Sequence, residues 1–149
     1  MTKAEFPGNR AVQPQANSPE DDRAETTRQA VRIAVAHSDH AAREVLSRAL
    51  ASRLNADVLA FSNCEDLLAS LMEYDVFVVY NNFGKKMTGM QGAREIRQRK
   101  PKAFIVGVTS TPYFDRKFLQ AGADAAFMRA GNEIAELVKV IQKRPTGER

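Results

Sequence analysis

The residues best suited to chemistry fall at four points along the chain: His37-Ser38-Asp39-His40, Tyr80-Asn81-Asn82, Thr109 and Arg129. His37, Asp39 and His40 put three potential metal ligands within four residues, a density that a transition-metal site can use. The two imidazoles, however, leave a turn in different directions, and the polar start of a helix accounts for the same residues. Ser38 beside His37 is a sequence neighbour rather than a nucleophile with its base, because a triad is assembled in space with a third, orienting group. Gly84, Lys85, Lys86, Gly89 and Gly92 form a glycine-rich stretch, but the Gly-Lys-Ser/Thr that opens a helix in a phosphate-binding loop is missing. The lone Cys64 excludes an internal disulfide and a cysteine-based zinc site. It is expected as a small buried hydrophobe in a reducing compartment. No catalytic residue, metal or cofactor is expected.

Each of the four points follows a short apolar run. Val31–Ala36 and residues 75–80, 103–109 and 125–128 read as strands, and 57–62 as another; continuous Val/Ile/Phe runs suit strands buried on both faces. Amphipathic helices alternate with them. Asp39 is placed to cap the first, whose inner stripe is Ala42, Val45, Leu46, Ala49, Arg53 and Leu54. Asn63 starts the second, which carries Leu67, Leu68 and Leu71, and the third spans 90–99 before Pro101 stops it. Pro112 lies near the start of the fourth, which runs to Gln120 and ends at Gly122. Asn132 caps the fifth, with Ile134, Leu137, Val138 and Ile141 at helical spacing. Such alternation means an α/β fold: a five-stranded parallel sheet with helices on both faces. Its binding crevice lies at the C-terminal ends of the strands, where the four points meet.

At 149 residues and 44% apolar, the chain has material for one domain with flanking tails. Residues 1–30 hold Pro7, Pro14, Pro19, the acidic run Glu20-Asp21-Asp22 and no hydrophobic periodicity. That composition cannot offset its ordering entropy, so a disordered leader is expected, with a segment that folds on a partner as the alternative. Residues 31–142 are expected to fold, and 143–149 to form a short polar tail with no output domain after the last helix. No run approaches a membrane span, and the first ten residues lack the apolar core of a signal peptide. The expected location is the cytoplasm.

The segments Val31-Arg32-Ile33-Ala34-Val35, Asp75-Val76-Phe77-Val78-Val79, Gly107-Val108-Thr109-Ser110 and Gln120-Ala121-Gly122-Ala123-Asp124 resemble the receiver domains of bacterial two-component response regulators. The resemblance implies a flavodoxin-like (βα)5 fold over about residues 31–142. It also implies a phosphoryl acceptor at position 80, an acidic magnesium-holding pair at 37 and 38, a lysine at 129 followed by proline, and an aromatic switch at 126. This chain has Tyr80, His37-Ser38, Arg129-Ala130 and Ala126 there, keeps Thr109, and has Asp39 as the only nearby carboxylate. Magnesium needs oxygen ligands, carboxylates above all. A phenol with an ordinary pKa near 10 cannot form an acyl phosphate, and Arg129 is a rigid fork where lysine is a flexible point charge. His37, Ser38, Asp39, Tyr80, Asn82, Thr109 and Arg129 thus read as a degenerate phosphorylation pocket, with Tyr80 filling it.

Two surfaces remain. Lys85, Lys86, Arg94, Arg97, Arg99, Lys100 and Lys102 are opposed only by Glu95 within their stretch, a local excess larger than the +4 of the whole chain. A basic patch of this kind attracts nucleic acid, anionic membrane or an acidic protein, or is simply a solvated helix face. By resemblance, the fourth helix, fifth strand and fifth helix form a face for homodimers or other protein partners, with Tyr113, Arg116, Lys117, Gln120 and Lys139 exposed. The expectation is a phosphorylation-independent interaction module without enzymatic activity, acting as a signalling adaptor or regulatory subunit. The alternative is a nucleic-acid-associated regulator that uses the basic third-helix face.

Overall fold

The computed structural model describes residues 30–70, 73–81 and 87–145. Five strands, β1 (Val31–Ala36), β2 (Ala56–Phe61), β3 (Val76–Tyr80), β4 (Phe104–Thr109) and β5 (Ala125–Met128), form one parallel sheet in the order β2-β1-β3-β4-β5. This is the flavodoxin-like order, whose switch point lies between β1 and β3. Helices α1 (His40–Leu54) and α5 (Glu133–Gln142) cover one face; α2 (Cys64–Ala69), α3 (Gly89–Arg99) and α4 (Phe114–Ala121) cover the other. The fold class is the one expected from the sequence.

Strand parity divides the core. Ile33, Val35, Val76, Val78, Val106 and Val108 point toward Leu46, Leu50, Leu137 and Ile141 on α1 and α5. Ala34, Ala36, Phe77, Val79 and Ile105 meet Cys64, Leu67, Ile96 and Phe118 on the opposite face. Gly107 in β4 leaves room for the Phe118 ring, since a Cβ there would lie 2.2–2.7 Å from three ring carbons. Cys64 is buried against Gly92 of α3, where a Cβ would meet its sulfur at 2.5 Å. Burial pushes the Cys64 thiol up to about 12.

Helix ends follow the capping rules with two corrections. Asp39 accepts from the Ala42 N–H, Asn63 from the Asp66 N–H, and Thr88 forms a reciprocal capping box with Gln91. Gly122 ends α4 in the left-handed conformation at φ 116°. Asn132, expected as a cap, occupies the position but its side chain makes no capping bond; Glu133 and Glu136 in the first turn favour the helix dipole instead. The α1 stripe is also rotated from the expected one: Leu46 and Leu50 are buried, while Val45 is 60% exposed. Leu71, expected on the second helix, lies outside the described residues.

Candidate functional site: a filled crevice at the strand ends

The last residue of β3 has the parity of Val76 and Val78, so the Tyr80 side chain turns into the α1–α5 face and is only 3% exposed. A buried phenol needs a hydrogen-bond partner. Tyr80 finds it in Glu133, the first residue of α5: its hydroxyl donates to Oε2 at 2.6 Å. Arg129, just past β5, donates from Nε to the other carboxylate oxygen at 2.8 Å, and its guanidinium carbon sits 5.7 Å from the Tyr80 ring centroid. Burial and the Glu133 carboxylate both push the phenol pKa up, so the hydroxyl stays a donor. Glu133 was not among the residues singled out in the sequence. Its place in the first turn of α5 marks only a charge that suits the helix dipole, and no local spacing points to Tyr80.

His37 completes the plug. It continues β1 by donating its backbone N–H to the Phe61 carbonyl at 3.0 Å. Its ring is 5% exposed and lies 4.1 Å, centroid to centroid, from the Tyr80 ring. The Asp39 N–H donates to His37 Nδ1 at 3.0 Å, so Nδ1 carries a lone pair and the ring proton sits on Nε2. Nε2 is buried and has no partner. Burial first, and then the Arg129 charge, hold the imidazole pKa below its ordinary value.

The neighbouring candidates diverge. The Asp39 carboxylate is occupied as the α1 cap. Arg43 donates from Nη1 to the carbonyls of His37 and Ser38, and its Nη2 meets His40 Nδ1 at 3.1 Å. His37 therefore points into the fold while His40 and Ser38 are exposed. Among the described residues, no group of three or more His, Cys, Asp or Glu side chains is gathered as a metal ion would need. Thr109 is 1% exposed, and its hydroxyl accepts from the Thr111 N–H. Ala126 pairs with Gly107 across the β4–β5 ladder, so no ring stands beside Thr109 from that position. Asn82 lies outside the described residues. The crevice thus holds the buried Tyr80 phenol at the end of β3. Its two carboxylates, Asp39 and Glu133, are both already hydrogen-bonded.

The basic stretch needs a correction. Arg97, expected on the surface patch, turns into the fold: Nε donates to Gly122 O, Nη1 to Pro101 O and Ala103 O, and Nη2 to Asp124 Oδ2 at 2.6 Å. The same Asp124 oxygen accepts the Ile105 N–H. Arg97 thereby ties the end of α3 to β4 and to the turn before β5, a structural task set by the orphan carbonyls around it. Arg99 pairs with Glu95 and Lys100 with Glu73. Arg94 lines a groove between α2 and α3 with Glu65, Met87, Gln91 and Glu95. Lys102 is exposed; Lys85 and Lys86 lie outside the described residues.

Arg116, Lys117 and Gln120 on α4 and Lys139 on α5 are exposed. Tyr113 is 72% exposed and held at φ 72°, a conformation costly for a bulky side chain. Five large hydrophobic residues are exposed among the described ones, and three of them, Tyr113, Leu119 and Met128, belong to α4, its N-cap and β5.

No protein-family model and no curated protein matches this chain. Solved structures do. The BeF3-activated receiver domain of DrrB superposes with a TM-score of 0.69 at 22% identity, over 77% of this chain and 97% of that one. A CheY-like receiver domain protein from Methanospirillum hungatei JF-1 gives 0.69 at 19% identity, over 77% and 93% of the two chains. TrrA from Thermotoga maritima, in complex with Mg2+ and BeF, gives 0.69 at 23% identity, over 76% and 97%. Against the longer response regulator DrrB of Thermotoga maritima, the chain spans about half, 52% of that protein. At these identities the likeness is one of fold, and the fold is that of the CheY-like receiver domains of response regulators.

Proposed function

We propose that this protein is a phosphorylation-independent interaction module built on the receiver fold, acting in signalling as an adaptor or regulatory subunit. The observation that carries the reading is Tyr80. It stands where the resemblance places the phosphoryl acceptor, and its ring is buried between His37 and Arg129 with its hydroxyl fixed to Glu133. An anionic phosphoryl group with its magnesium would have to displace that ring and find carboxylates that are already hydrogen-bonded. Without an acceptor, the remaining way to act is through contact. The α4–β5–α5 face supports this role, because it carries three exposed large hydrophobic residues, the strained Tyr113 among them. Its partner is a protein, a second copy of the chain included. The nucleic-acid alternative has no observation in its favour: Arg97, Arg99 and Lys100 of the basic stretch are engaged with acids or backbone carbonyls of the fold itself.

The test has two steps. Incubation with acetyl phosphate and Mg2+ followed by intact-mass measurement should leave the mass unchanged; a phosphoryl adduct would sink the reading. Capture of the tagged chain from its host's lysate should then recover a protein that survives nuclease and is lost on Arg116→Glu with Lys117→Glu. Release of the captured protein by nuclease would transfer the role to the basic face.

A further inference from the structure

We infer that His37 is a proton-operated latch on the closed crevice: taking up one proton drives its ring out from beside Tyr80 and frees the turn that leads into α1. The inference is independent of which partner the module binds.

The geometry leaves the ring only one comfortable state. Because the Asp39 N–H donates to Nδ1 at 3.0 Å, the neutral ring must carry its proton on Nε2. A second proton can enter only at Nδ1. It would then face the Asp39 N–H, donor against donor, and destroy the one hydrogen bond the ring makes. Nε2–H is already buried without an acceptor, and giving the ring a full charge raises the cost of that orphan.

The surroundings do not compensate. From the end of β5, Arg129 opposes a cation; from α1, Arg43 does so too, fixed by its bonds to the His37 and Ser38 carbonyls. From β3 comes the neutral Tyr80 ring. Two carboxylates favour the charged ring, but each is spoken for. Glu133 is bound by the Tyr80 hydroxyl and Arg129, and Asp39 caps α1. The charged ring is therefore not held where the neutral ring sits. Its exit is short, because Ser38, Asp39 and His40, the next three residues, are all exposed.

The sign follows from linkage. The latched ring has a pKa below the 6.5 of the unfolded chain, so the closed arrangement is fully favoured above that value and loses stability as pH falls below it. Leaving the crevice returns the ring toward its ordinary value, which is what couples the proton to the movement.

The experiment is an NMR titration of the full-length chain from pH 7.5 down to 4.5, following the His37 ring, the Asp39 amide and the Tyr80 ring, with far-UV circular dichroism in parallel. The expected result is one shared midpoint below pH 6.5 with the dichroism unchanged. Arg129→Gln should raise that midpoint and Glu133→Gln lower it. His37→Phe should abolish the Asp39 and Tyr80 shifts; should that variant not fold, the opposed shifts of the other two decide. The latch is refuted if the His37 ring titrates without the Asp39 and Tyr80 signals. It is equally refuted by unmoved midpoints in both charge variants, by shifts that persist in His37→Phe, or by loss of dichroism at the same midpoint.

Discussion

Tyr80→Phe tests the tie across the crevice most directly. It keeps the ring, its burial and its contact with His37, and deletes only the donor to Glu133. A hydrogen bond to an ionised group contributes about 1.5–3 kcal/mol net, and the 2.6 Å separation is in the short range of hydroxyl–carboxylate bonds. Two features place this one at the low end. The Glu133 side chain is 19% exposed, so water can replace the lost hydroxyl, and Arg129 keeps its hold on the other oxygen. The expected loss is about 1.5–2 kcal/mol. With a urea m-value of about 1.5 kcal/mol/M for a domain of this size, the unfolding midpoint should fall by about 1 M. Repeating the substitution in a Glu133→Ala background closes a double-mutant cycle. There Tyr80→Phe should cost less than about 0.5 kcal/mol, because the donor has already lost its acceptor. Equal costs in the two backgrounds, or a loss below about 0.5 kcal/mol in the native one, would refute the tie.

Three further outcomes follow from the same contacts. Gly107→Ala drives a methyl group into the Phe118 ring and should cost about 3 kcal/mol, read as a melting point lower by roughly 10 °C; a fall under about 3 °C would show that the ring moves aside freely. Arg97→Met abandons three carbonyls and Asp124 and should cost about 2–4 kcal/mol in urea unfolding, against under about 0.5 for Arg94→Met on the exposed side of α3; equal effects would contradict the structural role of Arg97. In base, the unfolded chain sheds the Tyr80 proton from pH 10 while the folded chain retains it above that value, so stability should decline as pH rises past 10 and Tyr80→Phe should lessen that slope.

The sheet was legible because a parallel strand buried on both faces has to be a nearly continuous apolar run, as β3, β4 and the Ile33–Ala36 part of β1 are. Their boundaries fall within one residue of those read from the pattern. Tyr80 was found by counting along from Asp75 against the receiver pattern, and its inward turn follows from its parity with Val76 and Val78. Helix phase was less legible. In α1, alanines lie on several sides, so spacing alone admits a stripe through Val45 as readily as one through Leu50, and only contact with α5 and the sheet chooses Leu50. Charge was least legible. Among its cationic neighbours Arg97 looks like one more surface cation, and nothing local says that its partner is Asp124, 27 residues further on. Glu133 has the same character, since its partner lies 53 residues back in the chain.

The size of the tie sets terms for any partner. Side chains from β1, β3, the end of β5 and the start of α5 meet in one buried cluster around Tyr80. Opening it means giving up a bond worth about 1.5–2 kcal/mol, a factor of roughly 10–30 in population. A partner that shifts the crevice must therefore prefer the open arrangement by at least about that factor, since binding that is equal for both states shifts neither. A partner that binds α4, β5 and α5 as they stand owes nothing to the opening. On the proposed reading a filled crevice suits recognition on that face that needs no opening, and within the cluster His37, whose buried Nε2 has no partner among the described residues, is where a proton would enter.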